Sequence, residues 1–205
     1  LSKKKLSKVT VILRGYSYEQ IKCVAQTLIS SSINSIEVTL NSPDVYESIK
    51  KIKQDFPELN VGAGTVCTIE EVMSSIESGV DFILSPINLS KEAIELCNKN
   101  DVVCVPAAMT PSEIYKMFQY GADIVKIFPA TAVGAKFFKD IQAPLGNLEL
   151  MAVGGVNGDN AKEFLANKCN YLGIGSGIFE KQDIKDMNME RLKLSLNKFI
   201  ENVEV

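Results

Sequence analysis

The chain has no histidine among its 205 residues. Without imidazole, no His-dependent triad, histidine-rich zinc hydrolase set or histidine acid–base pair can operate. Protons must then move through carboxylates, lysines, tyrosines, cysteines or water. Carboxylates alone can still hold magnesium, so metal is not excluded by composition. No apolar stretch approaches the ~20 residues that span a bilayer, so no membrane role is expected. A basic excess is missing as well: 22 Lys and Arg against 25 Asp and Glu give a net charge of −3, without the basic face that nucleic acid requires. The cluster Lys3-Lys4-Lys5 with Lys8 is the only local excess of positive charge. A strand pattern follows it, unlike the long apolar segment of a secretory signal. Cysteine pairing is absent too: Cys23, Cys67, Cys97, Cys104 and Cys169 are odd in number and contain no C-x-x-C. They read as reduced thiols packed in a core, which places the chain in the cytoplasm.

What is present is an unbroken alternation of strands and helices. At 46% hydrophobic, the chain can bury one substantial core, and residues 1–205 read as one domain. Short apolar runs predict strands at Val9–Leu13, Ser35–Leu40, Asn60–Ala63, Phe82–Leu84, Val102–Val105, Ile124–Phe128, Leu148–Val153 and Tyr171–Ile174. Amphipathic patterns predict helices at Tyr18–Ser31, Pro43–Asp55, Ile69–Ser78, Lys91–Asn100, Pro111–Tyr120, Ala135–Ile141, Asn160–Ala166 and Met189–Asn202. Thr68 with Glu71, and Thr110-Pro111-Ser112-Glu113, are capping-box starts, while Gly79, Asn100 and Gly121 punctuate exits. Eight strand–helix units without a linker predict an α/β fold, a (β/α)8 TIM barrel, with a doubly wound open sheet as the structural alternative.

Two charges break otherwise apolar strands. Lys126 lies in Ile124-Val125-Lys126-Ile127-Phe128, and Glu37 in Ile36-Glu37-Val38-Thr39-Leu40. Lysine is rarely buried alone, and desolvation frees the neutral amine that attacks carbonyls. Period-two alternation puts Glu37, Thr39 and Asn41 on one face, with Ile36, Val38 and Leu40 on the other. An amine and a carboxylate sharing a barrel interior suit a nucleophile with a proton partner, or else a structural ion pair. Barrel sites lie at the C-terminal strand ends, which here carry Arg14, Asn41, Thr65, Pro86, Phe128, Gly154, Gly155, Gly175 and Ser176. The glycine loops after strands seven and eight let backbone N–H groups approach an anion, as phosphate requires, although tight turns also favour glycine. Arg14 can grip a carboxylate or pair with a structural acid. Thr65 can bond a substrate or cap a loop, and Phe128 suits a pocket wall.

Taken together and in order, six motifs resemble the 2-keto-3-deoxy-6-phosphogluconate / 4-hydroxy-2-oxoglutarate aldolase family over nearly the whole chain. They are Ile12-Leu13-Arg14-Gly15, Glu37-Val38-Thr39-Leu40, Gly62-Ala63-Gly64-Thr65-Val66, Lys126-Ile127-Phe128-Pro129-Ala130, Val153-Gly154-Gly155-Val156 and Gly175-Ser176. The resemblance implies a class I aldolase that cleaves a phosphorylated keto sugar acid to pyruvate and glyceraldehyde 3-phosphate, and possibly 4-hydroxy-2-oxoglutarate to pyruvate and glyoxylate. It implies Lys126 as the imine-forming lysine and Glu37 as the proton shuttle. Arg14, Thr39, Asn41, Thr65, Pro86 and Phe128 would bind substrate, and Gly154, Gly155, Gly175 and Ser176 the phosphate. It also implies a homotrimer and no cofactor, because the iminium ion itself is the electron sink.

Two departures bear on the substrate. Asn41 stands where gluconate-type members carry an arginine, and Asn41-Ser42-Pro43 with Arg14 is similar to the galactonate branch. The carboxylate-binding role then passes to Arg14 and Thr65. Pro106-Ala107 replaces the usual Pro-Gly. Two rivals remain at this level: a phosphosugar isomerase or epimerase using Lys126 and Glu37 as acid and base, and a non-catalytic phosphosugar-binding protein.

Overall fold

Short, β-branched runs pair side by side because each is too short and too apolar to stand alone as a helix. In the computed structural model, which describes residue 3 and residues 6–205, every strand pairing is parallel. The strands are β1 (Val9–Leu13), β2 (Ser35–Thr39), β3 (Asn60–Gly64), β4 (Phe82–Leu84), β5 (Val103–Val105), β6 (Ala107–Ala108), β7 (Val125–Ile127), β8 (Leu150–Val153) and β9 (Tyr171–Ile174). Their order is β5-β4-β3-β2-β1-β9-β8-β7-β6. The two outermost segments, β5 and β6, are halves of one strand interrupted at Pro106. Proline has no N–H to donate, so the ladder breaks there, while its carbonyl accepts from the Lys126 backbone N–H at 2.9 Å. The first half pairs with β4 and the second with β7. The sheet therefore closes on itself as a single-domain (β/α)8 barrel, and the open-sheet alternative falls.

The helices are α1 (Tyr18–Leu28), α2 (Val45–Asp55), α3 (Ile69–Glu77), α4 (Lys91–Lys99), α5 (Pro111–Gln119), α6 (Ala130–Val133), α7 (Lys136–Leu145), α8 (Ala161–Ala166), α9 (Lys181–Lys185) and α10 (Met189–Val203). Both predicted capping boxes form: Thr68 accepts from Glu71 N at 3.2 Å and Thr110 from Glu113 N at 3.3 Å. At the α4 exit the left-handed residue is Asp101 (φ 56°), one beyond Asn100. α7 runs past the expected Ile141 to Leu145, with Pro144 in its last turn. Of the expected cluster Lys3-Lys4-Lys5, Lys3 pairs with Asp123 at 2.6 Å, and Lys4 and Lys5 lie outside the described residues. The five cysteines are free. Among the described residues, no helix is long and apolar enough to cross a membrane.

Two apolar clusters separate the inside of the barrel from its coat. Ile36, Val38, Val125 and Ile127 belong to the large cluster between sheet and helices. Phe82, Leu84, Val103, Val105, Ile124, Met151 and Val153 fill the barrel itself. Such a narrow barrel needs small residues opposite large ones. A Cβ on Gly62 would collide with the Phe82 ring, and one on Gly173 would lie 2.7 Å from Val153 Cγ2. Gly64 makes room in the same way for the Glu37 carboxylate.

Candidate active site

Lys126 is the middle residue of β7, and its neighbours Val125 and Ile127 face the helices. Alternation therefore turns it into the barrel, where it is 5% exposed. Its register partner across the ladder is Ala107 (3% exposed), whose methyl stands on the same inner face. The Lys126 ammonium lies 5.2 Å from the centroid of the Phe128 ring, within cation–π range. Burial pushes its pKa below the ordinary lysine value. Glu37 opposes that shift, Arg14 reinforces it and Cys67 opposes it.

Glu37 reaches the interior from β2 and is 2% exposed. Burial raises its pKa to about 7, against the lowering fields of Lys126 and Arg14. Its Oε2 has no hydrogen-bond partner. Among the described residues, Glu37 and Lys126 form no ion pair at 4.0 Å or closer, so the structural ion pair allowed by the sequence is not what is built. An unpaired buried ion costs several kcal/mol by general estimate, a large share of the ~5–15 kcal/mol that holds a domain folded. A carboxylate and an amine kept in this condition in one cleft mark a candidate chemical site.

The other strand ends surround the pair. Thr39 is fully buried, and its hydroxyl donates to Asn41 Oδ1 at 2.6 Å. The same hydroxyl lies 3.3 Å from the Leu13 carbonyl, so it ties the exposed Asn41 to the ends of the first two strands. Ser42 Oγ accepts from Gly15 N at 2.9 Å and ties the first two strand ends together. Thr65 is a β-branched residue in the left-handed region (φ 64°) between two ladder bonds, Leu40 N to Gly64 O and Val66 N to Leu84 O. Such a conformation is strained and is held by its surroundings. Pro86 follows β4 half-buried, and Phe128 is exposed at the mouth.

Beside this interior lies a cavity of about 420 Å³, lined by Arg14, Tyr16, Gly154, Gly155, Gly175, Ser176, Gly177 and Lys181, among others. Its lining contains two cations and no carboxylate. Neither Lys126 nor Glu37 lines it. Phe128 and Arg14 connect the two regions: a Cβ on Gly154 would stand 3.2 Å from Phe128 Cδ2, and Arg14 acts electrostatically on both buried charges. Gly154 and Gly155 adopt φ 95° and 76°, a turn that side chains disfavour. Thr131 covers that turn, its Oγ1 donating to Gly154 O at 3.3 Å. The two glycine loops abut, since a Cβ on Gly177 would lie 2.8 Å from Asn157 Cα. Arg14 has no acid within 4.0 Å among the described residues, which removes the structural-pair alternative for it.

Sequence reasoning missed Tyr16, Thr131 and Lys181. Tyr16 follows the exit of strand one, and the rule that selected Arg14 extends to it; burial raises its phenol pKa, which keeps it a hydrogen-bond donor. Thr131 and Lys181 sit on α6 and α9, helices of four and five residues that leave no periodic signal. Among the described residues, no group of three or more cysteine, aspartate or glutamate side chains could hold a metal ion.

The chain matches the family described as KDPG and KHG aldolase over residues 2–194. It is 34% identical over 171 residues, 82% of this chain and 80% of the relative, to a "Probable 2-dehydro-3-deoxy-6-phosphogalactonate aldolase" of Rhizobium meliloti. It is 28% identical over 186 residues, 90% of this chain and 87% of the relative, to the 2-dehydro-3-deoxy-phosphogluconate aldolase of Haemophilus influenzae. Among solved structures, it superposes with TM-score 0.84 and 26% identity on KDPG aldolase from Legionella pneumophila, over 93% of each chain, a structure with pyruvate captured as a covalent carbinolamine.

Proposed function

The chain belongs to the KDPG and KHG aldolase family, and from that premise we propose that it cleaves a 2-keto-3-deoxy-6-phospho sugar acid reversibly to pyruvate and glyceraldehyde 3-phosphate through an imine on Lys126. The observation that carries this reading is the buried Lys126 amine sharing the barrel interior with Glu37, whose Oε2 is unpartnered. The lowered lysine pKa increases the neutral amine, which attacks C2 of the keto acid to give a carbinolamine. Loss of water yields an imine, protonated to the iminium ion. That cation accepts the electron pair of the C3–C4 bond as Glu37 takes the C4 hydroxyl proton and the aldehyde leaves. Glu37 then returns a proton to C3 of the enamine, and hydrolysis frees pyruvate and the amine. A carboxyl pKa of about 7 suits both directions of transfer near neutrality.

In this reading Arg14 and Thr65 hold the substrate carboxylate beside C2, and Asn41, oriented by Thr39, reaches the hydroxylated carbons. Pro86 and Phe128 wall the cleft. The backbone N–H groups at Gly154, Gly155, Gly175 and Ser176 receive the phosphate. Asn41-Ser42-Pro43 and the galactonate-type relative favour the galactonate epimer at C4. The enzyme works as a cytoplasmic homotrimer. Support for association is the exposed apolar set Ile69, Met73, Ile87 and Tyr115 on consecutive strand–helix units, and light scattering at three times the 22.5 kDa chain mass would establish it.

Comparing kcat/KM for the two epimers and for 4-hydroxy-2-oxoglutarate tests the substrate assignment. The galactonate epimer is expected fastest and the unphosphorylated acid slowest. Lys126→Ala is expected to stay folded and lose cleavage by several orders of magnitude. Cleavage by that variant at the wild-type rate would overturn the mechanism.

A further inference from the structure

The cavity beside the catalytic interior holds one cation without a role. Arg14 acts on Glu37 and Lys126 and so stands near the reacting carbons, whereas Lys181 follows the strand-eight loop on α9. Lys181 is exposed, lines the cavity with Gly155, Ser176 and Gly177, and makes no ion pair at 4.0 Å or closer among the described residues. The Lys181 backbone is fixed even though its side chain is free. Phe179 and Ile184 are buried on either side of it, and the Lys185 carbonyl accepts from Gln20 Nε2 at 3.3 Å.

A phosphate ester carries more than one negative charge near neutrality. The backbone donors of the glycine loops offer only partial charges, and at the exposed Gly155, Gly175 and Ser176 solvent weakens them further. We propose that Lys181 is the charge partner of the substrate's terminal phosphate and sets the preference for phosphorylated over unphosphorylated keto acids. This rests on the aldolase reading above. Lysine supplies a mobile point charge here, while Arg14 is left for the carboxylate end. Two anionic ends of one substrate thus meet two separate cations, and no carboxylate in the cavity wall opposes either.

The test is Lys181→Met, which keeps an unbranched side chain one heavy atom shorter and removes the charge. For the phosphorylated sugar acid, KM is expected to rise about tenfold or more, a tenfold change being about 1.4 kcal/mol, with kcat changed far less. Cleavage of 4-hydroxy-2-oxoglutarate should be unaffected, and Lys181→Arg should restore most of the loss. Independently of turnover, the rise in melting temperature that inorganic phosphate gives the wild type should shrink in Lys181→Met. An unchanged KM with an unchanged phosphate response, or an equal loss on both substrates, would overturn the proposal. A wild type that cleaves neither substrate would refute the aldolase reading instead, and the phosphate response would still decide the role of Lys181.

Discussion

Alanine at position 64 would force the Glu37 carboxylate out of its place. Gly64 ends β3 without a left-handed φ, so alanine meets no backbone objection there. Its Cβ, however, would fall inside the contact envelope of Glu37 Oε1 and Cδ and lie 2.7 Å from Glu37 Cγ. Optimal carbon contacts are about 3.5–4.0 Å, so the carboxylate must retreat by roughly 1 Å or more. A displacement of that size costs about 10²-fold in rate, and the whole acid–base contribution is about 10²–10⁴-fold, so kcat should fall between those bounds. Overpacking should also remove about 1–3 kcal/mol of stability. The control is Gly62→Ala, whose Cβ meets the Phe82 ring and not Glu37. It should match the stability loss while kcat falls less than tenfold. Pyruvate release in steady state and urea unfolding of both variants provide the two readouts. A folded Gly64→Ala enzyme with wild-type kcat would refute the role given to the Glu37 position.

Two further expectations concern the same cluster. Glu37 has a carboxyl raised from 4.5 to about 7 in the fold, so its contribution to stability is fully present below pH 4.5, falls as pH rises through about 7, and is constant above. Glu37→Gln should therefore gain on the wild type by on the order of 3 kcal/mol across that window in urea unfolding at stepped pH; parallel curves would contradict the buried, unpaired carboxylate. Thr65→Gly should relieve the left-handed strain at φ 64° and raise stability by about 1 kcal/mol after the entropic cost of glycine, while raising KM through loss of the hydroxyl. A variant with a lower melting temperature would speak against stored strain at this position.

Much of this was legible because the barrel rule converts sequence position into location. Lys126 and Glu37 announced themselves as single charges in apolar strands, and strand ends selected Arg14, Thr65 and the glycine loops without a structure. The strand limits at Val9–Leu13, Phe82–Leu84 and Tyr171–Ile174 agree residue for residue with the fold. The barrel was legible but the division of its fifth strand was not, since nothing local shows that Pro106 splits a strand between two partners. Nor was the contact of the Thr39 hydroxyl with Asn41, which depends on a rotamer. Lys181 and Thr131 escaped because a single helical turn has no period to detect. The crowding of Glu37 over Gly64 is a contact between strands, and alternation along one strand does not reveal it.

The proposed chemistry requires a nucleophilic amine at the centre of the barrel. Incubating the protein with pyruvate and borohydride, followed by intact mass measurement and peptide mapping, interrogates that amine directly. One reduced pyruvyl adduct per chain, confined to the peptide containing Lys126 and absent from Lys126→Ala, is the predicted result. An unchanged mass, or an adduct borne by another lysine, would contradict it.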